Sequence, residues 1–432
     1  MLDTLRNAWK IDELRKKILF TLFIVLIYRL GNAVPVPYVD IAKLSQYFDQ
    51  LKNTVLGLYN VMSGGSFSKA TIFALSIQPY INASIIIQLL TIAIPALERL
   101  QKEGGEEGQK KLASITRYST VAIGLLQGFA YYMLIRNNNL LVAGTGIWEA
   151  IVIILTFTSG SALIMWLGEQ ISEFGIGNGI SIILFASIVS RFPNGIMQMI
   201  TNVSTGGLSV IGMIALLAGA LAIIVLIVYV TNAERRIPVQ YSKRVVGRKM
   251  YGGQSTHLPM KVNMSGVLPI IFAQSIASLL PTVLMFWNIT DNSAGFWGGL
   301  LRLVGTGSIL YALIYFLLII FFAFFYSTVQ FNPIEIANNL KKNGGFIPGF
   351  RPGKPTSEYI QKSLNKITLF GAIYLGIVAV VPVIIGIFSE SARNSGISLG
   401  GTSIIIVVGV ALETVRALES QMIMRNYKGF LD

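Results

Sequence analysis

Polar side chains inside apolar runs are the residues of this chain best suited to a chemical role, and they concentrate between Phe73 and Leu90. The run reads FALSIQPYINASIIIQLL and is long enough to cross a bilayer. Its polar members are Gln78, Asn82, Ser84 and Gln88, and Pro79 lies among them. Polar or broken segments at membrane depth are tolerated where they line a protein-enclosed or water-filled path. The alternative is a helix buried in a bundle with Pro79 as a packing kink, and this run alone does not separate the two.

Ionisable side chains are nearly absent from the centres of the apolar runs. Glu169 and Glu173 lie at the end of one run, and Glu413 and Arg416 could pair at i, i+3 near the end of another. Coupled transporters mark their sites with such residues inside the membrane, so their shortage argues against an ion-coupled site. The one histidine, His257, lies in a basic loop, where a structural hydrogen bond is the expected role.

No pattern for catalysis, metal binding or nucleotide binding is found in the sequence. The chain has no cysteine, which excludes disulfides and thiolate metal sites. The glycine-rich run 103–108 is acidic, which does not suit a phosphate, and no G-x-x-x-x-G-K-[ST] cradle occurs. We therefore expect no enzymatic activity and no cofactor, and a partner must supply the energy for any movement against resistance.

Long apolar runs recur along the whole chain. Of the 432 residues, 53% are hydrophobic and 12% are charged, whereas a soluble domain carries about 25% charged residues. The sequence predicts an all-α polytopic membrane protein with ten transmembrane helices. The segment 56–73 is too short and too rich in Gly and Ser to span, and we expect a re-entrant or interfacial half-helix there. The predicted spans are 18–37, 74–95, 113–135, 147–170, 177–194, 208–231, 264–287, 307–329, 366–388 and 402–422.

Lysine and arginine are unevenly distributed between alternate loops. Most of the 34 fall in the N-terminal amphipathic segment 1–17, the loops near 96–117, 232–263 and 330–366, and the C-terminal tail. Because short basic loops stay in the cytoplasm, both termini are predicted to be cytoplasmic. No cleavable signal peptide is apparent at the N-terminus.

Ten spans divide into five plus five. After five spans the chain is on the opposite side of the membrane, so the second half has the inverted membrane topology. Such an inverted repeat places the transport path between the two halves. The predicted division is an N-terminal half at 18–194, an external hinge at 195–207, a C-terminal half at 208–422 and a cytoplasmic tail at 423–432.

Two loops, 232–263 and 330–366, carry more Lys and Arg residues than are needed to fix the membrane topology. Gly and Pro turns in the second loop hold it in shape. We expect docking onto an anionic partner, for which ribosomal RNA, an acidic protein surface and lipid headgroups all fit; topology combined with headgroup binding is the simpler alternative. The basic residues are Arg235, Arg236, Lys243, Arg244, Arg248, Lys249, Lys341, Lys342, Arg351 and Lys354.

Aliphatic side chains at helical spacing are the other feature of the first polar run. Ile77 and Ile81 stand at i, i+4 and therefore share a helix face. Bulky aliphatic side chains facing a pore form a constriction that resists wetting. Periodicity alone does not separate a pore-facing isoleucine from one in a core or in lipid.

Five long blocks of the sequence resemble the SecY/Sec61α protein-conducting channel family, in the family's order, and the bacterial branch is the more similar. The resemblance covers about residues 10 to 428. The blocks read SGGSFSKATIFALSIQPYINASIIIQLL, MWLGEQISEFGIGNGISI, QSTHLPMKVNMSGVLPIIFAQS, FNPIEIANNLKKNGGFIPGFRPGKPT and GGTSIIIVV.

The resemblance implies a clamshell of two inverted five-helix halves around an hourglass pore. The family's aliphatic pore ring falls on Ile77, Ile81, Leu184, Ile271 and Ile406, where Leu184 replaces a frequent isoleucine. The family's plug, about 61–71, includes Met62, Ser63, Gly64, Gly65 and Phe67.

The same resemblance implies a lateral gate between the second and third spans and the seventh and eighth. Its polar contacts fall on Asn82, Gln127, Gln274 and Ser275. The two basic loops then match docking sites for the ribosome and the motor ATPase SecA, with Arg351 and Tyr427 at contact positions. SecE and SecG are the implied partner subunits, and signal sequences, nascent chains and membrane lipid are the implied ligands.

The sequence thus predicts the central subunit of a bacterial translocon in the plasma membrane. It would pass unfolded chains across and release transmembrane segments sideways into lipid. An inverted-repeat secondary transporter of a small solute is the main alternative, and a membrane scaffold for ribosomes is a weaker one.

Overall fold

The computed structural model describes most of the chain, and the secondary structure is mainly helical. The described residues are 2–51, 54–102, 104–142, 146–206, 209–241, 244–246, 249–251, 255–263, 266–286, 289, 295–305, 307–388 and 397–428.

In the first part of the chain, the regular elements among the described residues are helices joined by turns and two isolated β-bridges. Its helices are α1 (Leu2–Lys10), α2 (Asp12–Gly31), α3 (Ile41–Gln50), α4 (Val55–Met62), α5 (Gln78–Ala93), α6 (Pro95–Lys102), α7 (Gly105–Asn137), α8 (Ile147–Phe174), α9 (Gly179–Val189) and α10 (Phe192–Ser204). A short 3₁₀ helix, Phe67–Lys69, lies between α4 and α5.

The second part adds a small amount of strand. Its helices are α11 (Val210–Asn232), α12 (Leu268–Phe286), α13 (Phe296–Val304), α14 (Ile309–Gln330), α15 (Pro333–Lys342), α16 (Lys354–Phe388) and α17 (Ile397–Lys428). Its strands are β1 (Glu234–Tyr241), β2 (Arg244–Val246), β3 (Lys249–Tyr251), β4 (Ser255–Lys261) and β5 (Gly345–Phe346).

Each of the ten predicted spans has most of its length in one helix. Within the described residues, six helical segments are long and apolar enough to cross a membrane, and the bent pair α5–α6 would make a seventh. The described apolar part of α12 is shorter. The chain is therefore a multi-pass membrane protein by length and composition.

The bend between α5 and α6 has a sequence cause. The two helices meet at 105°. Ile94 between them is extended, with φ −110° and ψ 112°, as expected for a residue that precedes a proline, here Pro95. The bend ends α5 and turns the chain away from its axis.

Pro79 does not kink a helix, and that reading of it was wrong. Helix α5 begins at Gln78, so Pro79 lies in the first turn, where proline removes no intrahelical hydrogen bond. Residues 72–77 form turns before it. The predicted span began at residue 74 because these turn residues are mostly apolar and lengthen the apolar run.

The loop 232–263 contains strands, which the all-α prediction did not include. Strand β1 pairs antiparallel with β4 and with β5 in a three-stranded sheet. Ile237 and Val239 of β1 face inward and pack with Met260, Ile347 and Ile360. We call the end of the helix bundle that bears this sheet the sheet end.

The largest buried cluster takes its side chains mainly from α2, α5, α8, α9, α12, α14, α16 and α17. A second cluster is formed by α3, the segment around Phe67, α7 and α8. Helix α11 lies outside both clusters over most of its length, since only 6% of its most apolar 18-residue stretch is buried.

The turn segment before α5 contains two residues other than glycine in the left-handed region. Ala70 has φ 42° and Ser76 has φ 51°. The same segment also holds Gly64 and Gly65 at positive φ. Glycine adopts such angles without steric cost, whereas alanine and serine do not.

Candidate pore, plug and gate

The structure brings the five predicted ring residues into one buried cluster. Ile77 directly precedes α5, Ile81 lies one turn further on, and the others come from α9, α12 and α17. Their relative exposures are Ile77 0%, Ile81 3%, Leu184 1%, Ile271 2% and Ile406 1%. Four helical elements thus contribute aliphatic side chains to the same buried cluster.

Among the predicted plug residues, Met62 ends α4, Ser63, Gly64 and Gly65 form the turn after it, and Phe67 begins the 3₁₀ helix. Gly64 has φ 68° and Gly65 has φ 90°. A Cβ on Gly64 would lie 3.0 Å from the carbonyl oxygen of Ser187 on α9. Glycine suits position 64 for two reasons: its backbone is left-handed, and there is no room for a side chain.

Met62 lies close to the start of α5. Its side chain belongs to the cluster that contains Ile77, Ile81 and Ile271. Gln78 Nε2, next to Ile77 in the chain, donates a hydrogen bond to Met62 Sδ at 3.0 Å. A predicted plug residue and three predicted ring residues therefore share one buried cluster.

Phe67 is held by an aromatic site that the sequence did not reveal. Its ring stacks on Tyr131 of α7 with centroids 4.3 Å apart, and meets Phe48 edge-on at 5.1 Å. The Tyr131 hydroxyl donates to the Phe67 carbonyl oxygen. In the sequence, Tyr131 is indistinguishable from any core residue of an apolar run. Its contact with Phe67 is visible only in the folded structure.

Asn60 of α4 attaches the predicted plug segment to the rest of the fold at a second place. Its carbonyl oxygen accepts a hydrogen bond from Arg191 Nη1 at 2.9 Å, and its Oδ1 accepts one from the Ser68 amide at 3.0 Å. Helix α4 and the 3₁₀ helix are thereby tied to each other and to the start of α10.

The predicted gate residues lie on three neighbouring helices. Asn82 on α5 and Gln127 on α7 are partly buried, and Gln274 and Ser275 on α12 are buried. Helix α12 packs against both α5 and α7. The Ser275 hydroxyl donates to the Ile271 carbonyl oxygen of its own helix at 2.9 Å. The Gln274 Oε1 is buried without a partner.

One tyrosine crosses between the helices where the predicted residues do not. The Tyr326 hydroxyl of α14 donates to Gln88 Oε1 of α5. Gln88 stood out in the sequence as a polar residue in an apolar run, but nothing there identified its partner.

Charged groups at the ends of the helices pair locally. Arg117 Nε contacts Glu169 Oε1 at 2.8 Å. Arg416 does not use its guanidinium on Glu413, as the i, i+3 spacing suggested, but donates to the Thr231 carbonyl oxygen at 2.9 Å and to Asn232 Oδ1 at 2.7 Å. The end of α11 presents these acceptors one helix away, which spacing along α17 cannot reveal.

The basic residues near the sheet are partly described. Arg235, Arg236 and Arg351 are exposed, and Arg236 Nε contacts Glu234 Oε1 at 2.7 Å. Burial lowers the pKa of Lys261 at the end of β4, and the positive charge of Arg416 lowers it further. Lys243 and Arg248 lie outside the described residues, as do the side chains of Arg244, Lys249 and Tyr427.

In the described part of the chain, no group of three His, Cys, Asp or Glu side chains could hold a metal ion. His257 is exposed on β4, opposite Pro238 of β1.

A family model and individual relatives place the sequence in the same family. The family model for SecY matches residues 71–415. The chain is 45% identical over 445 residues to protein translocase subunit SecY of Streptomyces scabiei, and 44% identical over 446 residues to that of Streptomyces coelicolor. Both alignments cover 100% of each chain. These relatives give no support to the alternative of a solute transporter.

Comparison with solved structures gives the same fold. A protein-conducting channel superposes with a TM-score of 0.65 at 17% identity, covering 94% of this chain and 92% of the other. A SecY structure, whose plug domain stabilises the closed state and maintains a membrane seal, gives 0.63 at 18% identity with the same coverage. Sec61 in the canine ribosome-channel complex gives 0.61 at 16% identity, again over 94% and 92%.

Proposed function

This chain belongs to the SecY family, and from that premise we propose that it is the central channel subunit of a bacterial Sec translocon. It conducts unfolded polypeptides across the plasma membrane and releases transmembrane segments into lipid. It is a channel and not an enzyme, so a motor ATPase or a ribosome drives the movement. The observation that carries the proposal is the packing of the plug residue Met62 into the cluster of ring isoleucines.

The membrane arrangement we propose has ten transmembrane helices in two inverted halves, 18–194 and 208–422, joined outside the cell at 195–207. Both termini and the sheet end then face the cytoplasm. The distribution of lysine and arginine supports this orientation.

The ring of Ile77, Ile81, Leu184, Ile271 and Ile406 acts as a gasket. Flexible aliphatic groups close on each other in the resting channel and on an extended chain of almost any sequence during transport. A dry aliphatic constriction excludes ions because it offers no substitute for their hydration shell.

The plug covers the outer side of this ring and moves aside during transport. Residues Gly64 and Gly65 let the chain turn back sharply beneath the ring. The aromatic contact between Phe67 and Tyr131 holds the plug in place while the channel is closed.

The lateral gate lies where α5 and α7 face α12 and α14, a line that we call the seam. Asn82, Gln127, Gln274 and Ser275 are its proposed polar residues. Side-chain hydrogen bonds between membrane helices contribute about 0.6 kcal/mol on average, which suits a contact that must open. A signal sequence or a transmembrane segment enters lipid through this line.

Partners dock on the cytoplasmic face around the sheet. We assign this role to the loops 232–263 and 330–366, with Arg235, Arg236, Arg351 and Tyr427 as contact residues for SecA or for ribosomal RNA. The solved Sec61 structure in a ribosome-channel complex supports a ribosome as one partner. SecE and SecG are the proposed companion subunits.

A photo-crosslinking amino acid in place of Ile271 tests the proposed function. In the reconstituted complex, a stalled secretory chain should crosslink at this position, since Ile271 belongs to the ring. The same probe in place of Ile214, which is 58% exposed on α11, is the control and should capture lipid only. Absence of the polypeptide crosslink at 271, with protection of that position by a small solute, would reject the channel and favour a transporter.

A further inference from the structure

Helix α13 lies at the end of the bundle opposite the sheet end, because α12 begins after β4 and α14 ends before β5. It packs against both α12 and α14. Gly298 and Leu301, one turn apart on α13, are buried. The Gly305 amide donates to the Leu301 carbonyl oxygen at 2.7 Å, and the Ser308 amide donates to the Gly305 carbonyl oxygen at 2.9 Å. One side of α13 is therefore fixed to the bundle, next to the start of α14.

The opposite side of α13 is apolar and uncovered. Phe296, Leu300 and Leu303 stand at i, i+4 and i+7 and share a helix face. Phe296 is 76% exposed and Leu303 is 56% exposed. Trp297 lies beside them, 54% exposed, and its ring meets that of Phe296 edge-on at 5.5 Å. Arg302, the one charged residue of α13, lies off this face.

A second short amphipathic helix at the same end, α3, has its apolar face covered by protein. It follows α2, which begins beside the last part of α17, and Arg416 there reaches the residues of α11 just before β1. Leu44 and Phe48 of α3 are buried in the second cluster, and Gln46 is exposed on the other side. The bundle thus covers the apolar face of α3 and leaves that of α13 open.

The apolar surface of α13 adjoins an exposed apolar row on α14. Every fourth residue along one face of α14 is large, apolar and exposed: Ile309, Leu313, Leu317 and Phe321. Since α14 is apolar and long enough to cross a bilayer, this row faces lipid. Leu303 precedes Ile309 by six residues, so their backbones are at most about 20 Å apart. The exposed face of α13 therefore lies near the end of a lipid-facing surface.

We propose that α13 is an interfacial helix whose apolar face is covered by phospholipid of the outer leaflet. Phe296, Trp297 and Leu303 lie among the upper parts of the acyl chains, at the level where tryptophan is enriched in membrane proteins. The contact is with acyl chains and not with a headgroup charge, because this face carries no charged residue. A few side chains are also too few for a stable protein interface, which takes about 20–30 residues on each side.

The proposal depends on the proposed membrane arrangement for the side of the bilayer, and it is tested without transport. The chain has no native cysteine, so one nitroxide label at a time can be attached to the complex in vesicles of phosphatidylethanolamine and phosphatidylglycerol. Collision rates with oxygen, which concentrates in lipid, and with a water-soluble nickel complex give the depth of each label. Phe296→Cys and Leu303→Cys test the face. Leu317→Cys is the lipid reference, and Gln46→Cys, on the exposed side of α3, is the aqueous reference.

The labels at 296 and 303 should lie between the two references, about 5–10 Å below the headgroup boundary, as in other interfacial helices. A nickel collision rate equal to that at position 46 would place α13 in water and overturn the proposal. Low collision rates with both reagents would show that a protein subunit covers the face, which would also overturn it.

A double variant tests whether these side chains make the contact. Phe296→Asn with Leu303→Asn should lower the ratio of oxygen to nickel collisions for a label at Trp297→Cys, because two apolar groups no longer enter the lipid. An unchanged ratio would overturn their assignment as the membrane contact. The channel is scored separately by the crosslink at position 271: labels in lipid without that crosslink would reject the channel and keep the interfacial helix, and the reverse result would reject the helix alone.

Discussion

Phe67 and Tyr131 lie face to face, with ring centroids 4.3 Å apart and planes at 15°, and the tyrosine hydroxyl also donates to the phenylalanine's own carbonyl oxygen. The Tyr131 side chain thus holds both the ring and the backbone of Phe67, a residue of the proposed plug. Stacked aromatic pairs contribute about 0.5–1.5 kcal/mol beyond the area they bury.

The two parts of this contact can be separated by mutation. Tyr131→Phe keeps the stacking and loses the hydrogen bond, so the closed plug should weaken by about 0.5–1.5 kcal/mol. Phe67→Ala removes the buried ring and should weaken it by about 3–5 kcal/mol. Ion conductance of the resting complex should rise in that order. Equal conductance of wild type and Phe67→Ala would show that the plug is seated by other contacts.

Opening the aliphatic ring should make the channel leak. Ile77→Gly, Ile81→Gly and Ile271→Gly in one chain remove three side chains from the buried cluster, and water and ions should then cross the constriction. Conductance across a planar bilayer measures the effect. The control carries Ile211→Gly and Ile214→Gly on the exposed face of α11. Unchanged conductance in the ring variant would favour a scaffold over a channel.

Gly160 of α8 provides a close approach for the turn that precedes α5. A Cβ there would lie 2.0 Å from the Ile72 carbonyl oxygen. Gly160→Ala should therefore displace the turn and destabilise the fold by about 1–3 kcal/mol, as overpacking typically does.

The control for this change is Gly219→Ala on α11, where nothing lies within 4 Å of the added carbon. That replacement should be neutral or stabilising, since alanine is the better helix former by about 1 kcal/mol. Thermal unfolding of the detergent-solubilised complex compares the two variants. A Gly160→Ala midpoint equal to the wild-type value would show that the turn accommodates the methyl group.

Charge reversal at Arg351 tests the docking surface. Arg351→Glu on the exposed loop between β5 and α16 should slow motor-driven translocation, and more so at low ionic strength, because exposed charges are screened by salt. Arg136→Glu, exposed at the far end of α7, changes the net charge equally and should leave the rate unchanged. Equal rates for both variants would remove Arg351 from the docking site.

The positions of the apolar helices could be predicted from the sequence because apolar length is a local pattern. The resemblance of GVLPIIFA and GGTSIII to known blocks assigned Ile271 and Ile406 to the proposed ring, and the structure shows both buried in one cluster. The inward alternation of Ile237 and Val239 was a usable signal for β1, but the charges around it made the segment read as a loop.

The tyrosine contacts could not be predicted in this way. Tyr131 and Tyr326 lie in runs where an aromatic residue fits any apolar surface. Tyr326 meets Gln88 across 238 positions of sequence, and that distance is bridged only when α5 and α14 come together in the fold. Helix α5 begins later than the predicted span because the turn residues before Pro79 are also mostly apolar.

Ser76 offers a way to measure what the turn before α5 contributes. It has φ 51°, and its buried Oγ has no partner. Ser76→Gly relieves both penalties and should stabilise the closed form by about 1–3 kcal/mol. The midpoint of thermal unfolding should rise while the rate of translocation falls, and a rate equal to or above that of wild type would contradict this.

The left-handed geometry of Ala70 and Ser76 therefore has a thermodynamic consequence. A left-handed residue other than glycine costs about 1–2 kcal/mol of conformational free energy. In the proposed channel, a segment that leaves this geometry on opening regains that energy, so the free-energy difference between the closed and open forms is smaller than the lost contacts alone would make it. A ligand that binds the open form modestly more tightly than the closed form then shifts the balance between them.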